Sequence, residues 1–233
     1  MKMKHAPIYL IPYAEGMTGC RRGPHAILSY RNGIGVWSGN IAELPAYHDA
    51  ESTAIESARL LAGKDNYIVL GGDHSASAGV VRALSNTFGK IHLVVFDAHT
   101  DEYEQGHTEL NCGNWIRKEK DCFSGITRFG CRDSQAYSEK VSVTNRIHIS
   151  VDLDVLDAKE YGFSANFPES NGMTLEKLCR KIEDVASKAR HPITADISEY
   201  NPTLDVTGAG AYCANKILGV LHDIVSKQIV IDA

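Results

Sequence analysis

Short, nearly continuous apolar runs alternate along this chain with longer amphipathic stretches. The runs are IYLIPY (8–13), NYIVLGG (66–72), IHLVVFD (91–97), GITRFGC (125–131), RIHISVDLD (146–154) and PITADIS (192–198), with IGVWS (34–38) a further candidate. Runs without polar alternation predict strands covered on both faces. Between them, residues 49–63, 75–89, 174–189 and 207–227 space their apolar side chains at helical intervals. The first two end at a glycine; the third opens on Thr174 and carries lysine near its end, as helix boundaries do. Strand–helix alternation predicts a three-layer αβα fold around a central, mostly parallel sheet. No repeat, low-complexity segment or Pro/Gly/Ser linker interrupts the pattern, so residues 1–233 read as a single domain.

Composition narrows the function classes. The net charge of -5 offers no basic field to nucleic acid or to an anionic membrane surface. No stretch approaches the roughly 20 apolar residues that span a bilayer. The N-terminal apolar segment is short, contains Pro12 and lacks a small-residue cleavage site, so a buried first strand is expected there rather than a signal peptide. Six cysteines occur with no CxxC pair, and free thiols in a cytoplasmic protein are the expectation.

Polar residues gather where the apolar runs stop. GGDHS (71–75), DAHTD (97–101), SVDLD (150–154) and DISEYNP (196–202) each close a predicted strand. In open parallel sheets, ligands bind beyond the carboxyl ends of the strands, so four clusters would meet in one crevice. Asp97, His99 and Asp101 are spaced i, i+2, i+4, which in an extended segment puts all three side chains on one side. Asp152 and Asp154 repeat that spacing, and His74 follows two glycines. Four carboxylates beside two imidazoles would repel one another when bare. Two divalent cations would balance them, and an oxygen-rich, thiolate-free donor set suits manganese better than zinc. A pair of such ions about 3.5–4 Å apart lowers the pKa of a shared water toward neutrality.

These motifs, in this order, resemble the ureohydrolase family of arginases, agmatinases and formiminoglutamases. RRGPHAI (21–27) and RFGCRD (128–133) resemble two further family segments, and the likeness runs from about residue 8 to about residue 220. The resemblance implies an arginase-like fold with two Mn²⁺ per chain. His74 and Asp101 would hold one ion, His99 and Asp154 the other, with Asp97 and Asp152 touching both. It implies that a metal-bridging hydroxide cleaves a C–N bond of a linear guanidino or formimino compound, releasing urea or a similar amide. Asp101 would accept a hydrogen bond from that hydroxide. Glu199 would pair with the substrate cation, as a carboxylate can with a planar amidinium, and Asn114 is a second substrate-binding candidate. Asp73 and Ser75 are expected to orient or cap rather than coordinate. The partner implied is a small molecule, and a homotrimer or homohexamer is implied beside a possible monomer.

Three features depart from the family pattern. Where agmatinases carry His-Gly-Thr and arginases Ser-Gly-Asn-Leu-His, this chain has Cys112-Gly113-Asn114-Trp115-Ile116, so the proton-shuttle histidine is missing, and the identity of the shuttle is left open, with His107 upstream as a candidate. Asp157-Ala158 replaces an Asp-Pro turn. The chain is also shorter than typical members, which would open the site to larger or modified substrates. A formiminoglutamase-like or hydroxyarginine hydrolase is the alternative activity. A catalytically impaired metal-binding homologue is the non-enzyme alternative.

Overall fold

The computed structural model describes residues 5–16, 18–30, 40–104, 108–132, 141 and 146–229. Among these residues, seven strands form one sheet: β1 (Ile8–Ile11), β2 (Ile41–Glu43), β3 (Ile68–Gly71), β4 (Ile91–Phe96), β5 (Phe123–Phe129), β6 (Ile147–Asp152) and β7 (Ile193–Ser198). The order across the sheet is β2-β1-β3-β7-β6-β4-β5, and every pairing is parallel. Among the described residues, six α-helices accompany it: α1 (Gly23–Ser29), α2 (Ala50–Leu61), α3 (Ala76–Phe88), α4 (Trp115–Lys118), α5 (Leu175–Lys188) and α6 (Ala209–Ile229). The expected three-layer αβα architecture is what forms. The candidate strand at 34–38 and the candidate shuttle His107 fall outside the described residues.

Local chemistry sets the helix boundaries. The Asp49 side chain accepts from Ser52 N at 2.7 Å and starts α2, and Thr174 accepts from Lys177 N at 3.2 Å to start α5. Each satisfies a backbone donor that has no partner in the first turn. Gly89 closes α3 at φ +79°, a conformation that costs glycine little.

Parity along the strands builds two cores. In β4, Val94 and Phe96 join a cluster with α1, α5 and α6, including Ile27, Ile182 and Leu218. Leu93 and Val95 join the other, with Ala54 of α2, Leu84 of α3 and Trp115 of α4. The two central strands break this symmetry. Ile147, Ile149 and Val151 of β6 pack into the first core, yet the alternating His148, Ser150 and Asp152 are polar and buried. They are in register with Thr194, Asp196 and Ser198 of β7. A polar seam therefore runs through the middle of the sheet on the α2–α4 side, and it leads to the strand ends where the candidate site lies.

The turn after β3 is tight. A Cβ at Gly72 would lie 2.0 Å from the carbonyl oxygen of Tyr13, which also accepts from Asp73 N at 2.8 Å. Gly72→Ala is expected to cost about 1–3 kcal/mol through overpacking of backbone on backbone. The check is a lowered urea midpoint at unchanged slope; an unchanged midpoint would mean that the end of β1 yields freely.

Candidate active site

Four neighbouring strands, β3, β7, β6 and β4, deliver the site residues from their carboxyl ends. His74 lies in the turn between β3 and α3. Asp97, His99 and Asp101 follow β4, Asp152 ends β6 and Asp154 follows it, and Glu199 follows β7. Extension is not what aligns these side chains: β4 stops at Phe96, and residues 97–101 fold as a turn, with Asp101 at φ +52°. His99 N bonds Asp97 Oδ1 at 2.6 Å across that turn. Asp154 likewise sits in the 3-10 turn Leu153–Val155, its N bonded to Asp152 Oδ1 at 2.9 Å. The carboxylates that would have alternated on a pleat are aimed instead by Asx-type turns. Asp101 and Glu199 (φ +67°) are both non-glycine residues in the left-handed region, a strain of about 1–3 kcal/mol each that concentrates at functional sites.

The backbone claims one oxygen of three of the carboxylates. Oδ1 of Asp97, Asp152 and Asp154 accepts from His99 N, Asp154 N and Ala98 N, respectively. Their second oxygens converge on imidazole nitrogens. His74 Nδ1 lies 2.9 Å from Asp101 Oδ2, 3.1 Å from Asp97 Oδ2 and 3.3 Å from Asp152 Oδ2. His99 Nδ1 lies 2.9 Å from Asp154 Oδ2. Five of the six sequence-predicted ligand residues form two triplets that share Asp97, His74–Asp97–Asp101 and Asp97–His99–Asp154, and the sixth, Asp152, stands against His74 Nδ1 beside them.

The polar seam decides which nitrogen of His74 faces them. Ser150 Oγ donates to Asp196 Oδ1 at 2.6 Å. With its proton spent there, Ser150 accepts from His74 Nε2 at 2.9 Å. Asp196 is held in turn by His148 Nε2 at 2.8 Å, and His148 Nδ1 meets Thr194 Oγ1 at 3.0 Å. A histidine that donates from Nε2 offers its Nδ1 lone pair to a cation. His74 Nδ1 and Asp97 Oδ2 are both buried with no hydrogen-bond partner, and buried polar atoms are rarely left so. Sequence reasoning passed over Ser150, Asp196 and His148, although polar residues at every second place of RIHISVDLD carried the signal.

Charge points the same way. Burial, then Asp97, pushes Asp101 up to about 7. Burial, then Asp154 and Asp97, holds Asp152 well above the usual carboxylate range. Burial opposes a charge on His74, yet contact with Asp101, Asp152 and Asp97 raises it well above its usual value. Protonating both imidazoles would offset two of the four negative charges, whereas two divalent cations would offset all four. Oxygen and imidazole donors without thiolate fit such ions.

A cavity of about 480 Å³ opens over the cluster and is lined by His74, His99, Asp101, Asp152, Asp154 and Glu199 on one side. Tyr103, residues 111–114 and Phe167 form the other wall. Glu199 Oε1 accepts from His74 N at 2.8 Å, and Oε2 accepts from Asn166 Nδ2 at 3.1 Å. Burial, then the nearby Asp73 carboxylate, pushes Glu199 up to about 8. Asn114 lines the wall, but its amide bonds within the loop: Oδ1 to Asn111 N at 2.9 Å and Nδ2 to Glu109 O at 2.8 Å. Asp73 orients the turn, accepting from Ser75 N at 3.0 Å and Glu15 N at 2.7 Å. The six cysteines are free thiols; Cys112 lines the cavity, and Cys20 lies 3.7 Å from Glu199 Oε2. No described helix is long and apolar enough to cross a membrane.

Known proteins share this chain's sequence and fold. An agmatinase of Neisseria meningitidis serogroup C is 25% identical over 247 residues, covering 94% of this chain and 75% of the relative. An agmatinase of Salmonella dublin is 26% identical over 86% of this chain and 79% of its own. The proclavaminate amidino hydrolase of Streptomyces clavuligerus superposes with a TM-score of 0.78 at 18% identity, over 97% of this chain and 93% of that one. The agmatine ureohydrolase of Thermoplasma volcanium superposes at 0.74 and 24% identity, over 99% and 92%. At those identities the superpositions establish a common fold. The sequence profile of the Arginase family matches residues 6–143 and 134–222, and on that match the chain belongs to the arginase family, the ureohydrolases its motifs resemble.

Proposed function

We propose that this protein is a binuclear metal-dependent hydrolase that cleaves a C–N bond of a guanidino or formimino compound. The observation that carries the reading is the convergence of four carboxylate oxygens on two imidazole Nδ1 atoms, with Glu199 facing the same cavity. His74, Asp97, His99, Asp101, Asp152 and Asp154 would hold two divalent ions, proposed to be manganese. When bound, those ions supply Lewis-acid polarisation and a water of near-neutral pKa.

The remaining chemistry belongs to the chain. Glu199 is buried near the Asp73 carboxylate, so its charged form lacks compensation until a planar amidinium enters the cavity, stabilises it and is oriented by it. Asp101, beside the cavity, receives a proton or hydrogen bond from the attacking water. Asn114 braces the facing loop and shapes the substrate wall. No lysine or arginine is among the described residues that line the cavity, which favours an amidine without a carboxylate, such as agmatine, over arginine. Ile116 stands where arginases place their shuttle histidine, so the leaving amine takes its proton from water or from another group. Residues 1–233 act as one domain on a small molecule.

The test is a substrate panel with the Mn²⁺-loaded protein, reading urea, formamide and ammonia separately. Agmatine is expected to give urea at the highest kcat/KM. Full metal loading with no product from any guanidine or formimino compound would refute the activity.

A further inference from the structure

Asp101 is gripped from a direction that the metal-site motifs do not include. Trp115 Nε1 donates to Asp101 Oδ2 at 2.8 Å. The next residue, Ile116, donates its backbone N–H to the Asp101 carbonyl oxygen at 3.2 Å. Trp115 is fully buried, its ring centroid lies 5.0 Å from that of His74, and Phe123 meets it edge-on at 6.4 Å. One short helix thus holds both ends of a residue whose backbone is in the strained left-handed region at φ +52°.

We infer that Trp115 is a positioning residue: its indole N–H fixes the rotation of the Asp101 carboxylate relative to His74 Nδ1, and so tunes cation binding at the His74–Asp97–Asp101 triplet. The inference rests on the proposed metal-dependent function. An indole nitrogen donates and never accepts, so this bond has one polarity and specifies which oxygen of Asp101 faces His74. The same oxygen meets both Trp115 Nε1 and His74 Nδ1. A bond from a neutral donor to a ligand carboxylate limits its swing, as supporting partners do in metal sites generally. The ring, tilted at 51° to that of His74, meanwhile closes the site toward the second core. Ile116, at the place of the missing histidine, contributes through its backbone alone. The helix that departs from the family at the shuttle position is therefore used to clamp Asp101.

The placement also makes Trp115 a reporter. The chain's other tryptophan, Trp37, lies outside the described residues, and Trp37→Phe leaves Trp115 as the single indole. In that variant, titrating Mn²⁺ into metal-free protein is expected to quench the emission, because the paramagnetic ion would sit against the imidazole whose ring centroid lies 5.0 Å from the indole. Trp115→Phe is expected to weaken Mn²⁺ binding about 10–100-fold by calorimetry and to lower kcat more than it raises KM. Replacing Trp115 by benzothienylalanine keeps the ring shape and deletes only the N–H. It should reproduce the loss of affinity without the loss of thermal stability that Trp115→Phe adds. Wild-type Mn²⁺ affinity and kcat in the benzothienylalanine protein would overturn the inference while leaving the proposed function intact. No Mn²⁺ uptake by the unaltered chain would overturn both.

Discussion

Asp152→Ala is expected to lose bound metal and activity together. Asp152 is the carboxylate of β6 that reaches His74 Nδ1 through Oδ2 and braces Asp154 N through Oδ1. Its removal therefore takes a proposed ligand from beside the His74 triplet and loosens the turn that aims Asp154 of the other. Removing a supporting partner alone typically costs about 10–100-fold in affinity or activity, and loss of a ligand is expected to exceed that. Stability without metal should move in the opposite direction. Burial and the neighbouring Asp154 and Asp97 already hold Asp152 well above the usual carboxylate range, so deleting it relieves like-charge crowding. The variant should melt no lower than the parent when both are metal-free. It should also lack the stabilisation that added Mn²⁺ gives the parent, about 2.7 kcal/mol at a free concentration one hundred times Kd. Elemental analysis after dialysis decides the matter: two equivalents of metal retained by Asp152→Ala would sink the six-residue site.

Glu199→Gln should produce the complementary phenotype, with metal retained and substrate lost. Glu199 belongs to neither triplet, and a glutamine oxygen can still accept from His74 N. What disappears is the ability to form the carboxylate that a bound amidinium would stabilise. Truncating one member of a buried charged pair costs about 2–5 kcal/mol, equivalent to roughly 30-fold to 4000-fold in kcat/KM. Steady-state kinetics on the best substrate of the panel, with metal content measured alongside, tests this. A kcat/KM within a factor of a few of the parent would remove Glu199 from substrate recognition.

Much of this site was readable before any fold was known, for reasons that are local. Continuous apolar runs marked six of the seven strands, because both faces of this sheet are covered. Helices α2, α3, α5 and α6 were visible in their spacing and end signals. β2 was not, since its three residues are exposed and pair with β1 through backbone alone. Short α1 was read only as a motif, RRGPHAI, and α4 as the place where a histidine was absent. The DAHTD motif named the right residues by an inexact route: a pleat and a turn can both gather Asp97, His99 and Asp101, and spacing does not distinguish them.

The sequence by itself determined the layer architecture, the residue types of the candidate centre and the strand ends that carry them, since each depends on periodicity or on neighbours a few positions apart. Only the tertiary structure decided that β3, β7, β6 and β4 lie side by side, which places His74 against Ser150 and Glu199 against His74. It alone showed that Ser150 and Asp196 turn Nδ1 of His74 toward the carboxylates, and that Trp115 grips Asp101. The physical reason is that these contacts join residues 14 to 125 positions apart. Which of them meet is settled by global packing, whereas hydrophobic pattern records only which face of its own element each residue occupies.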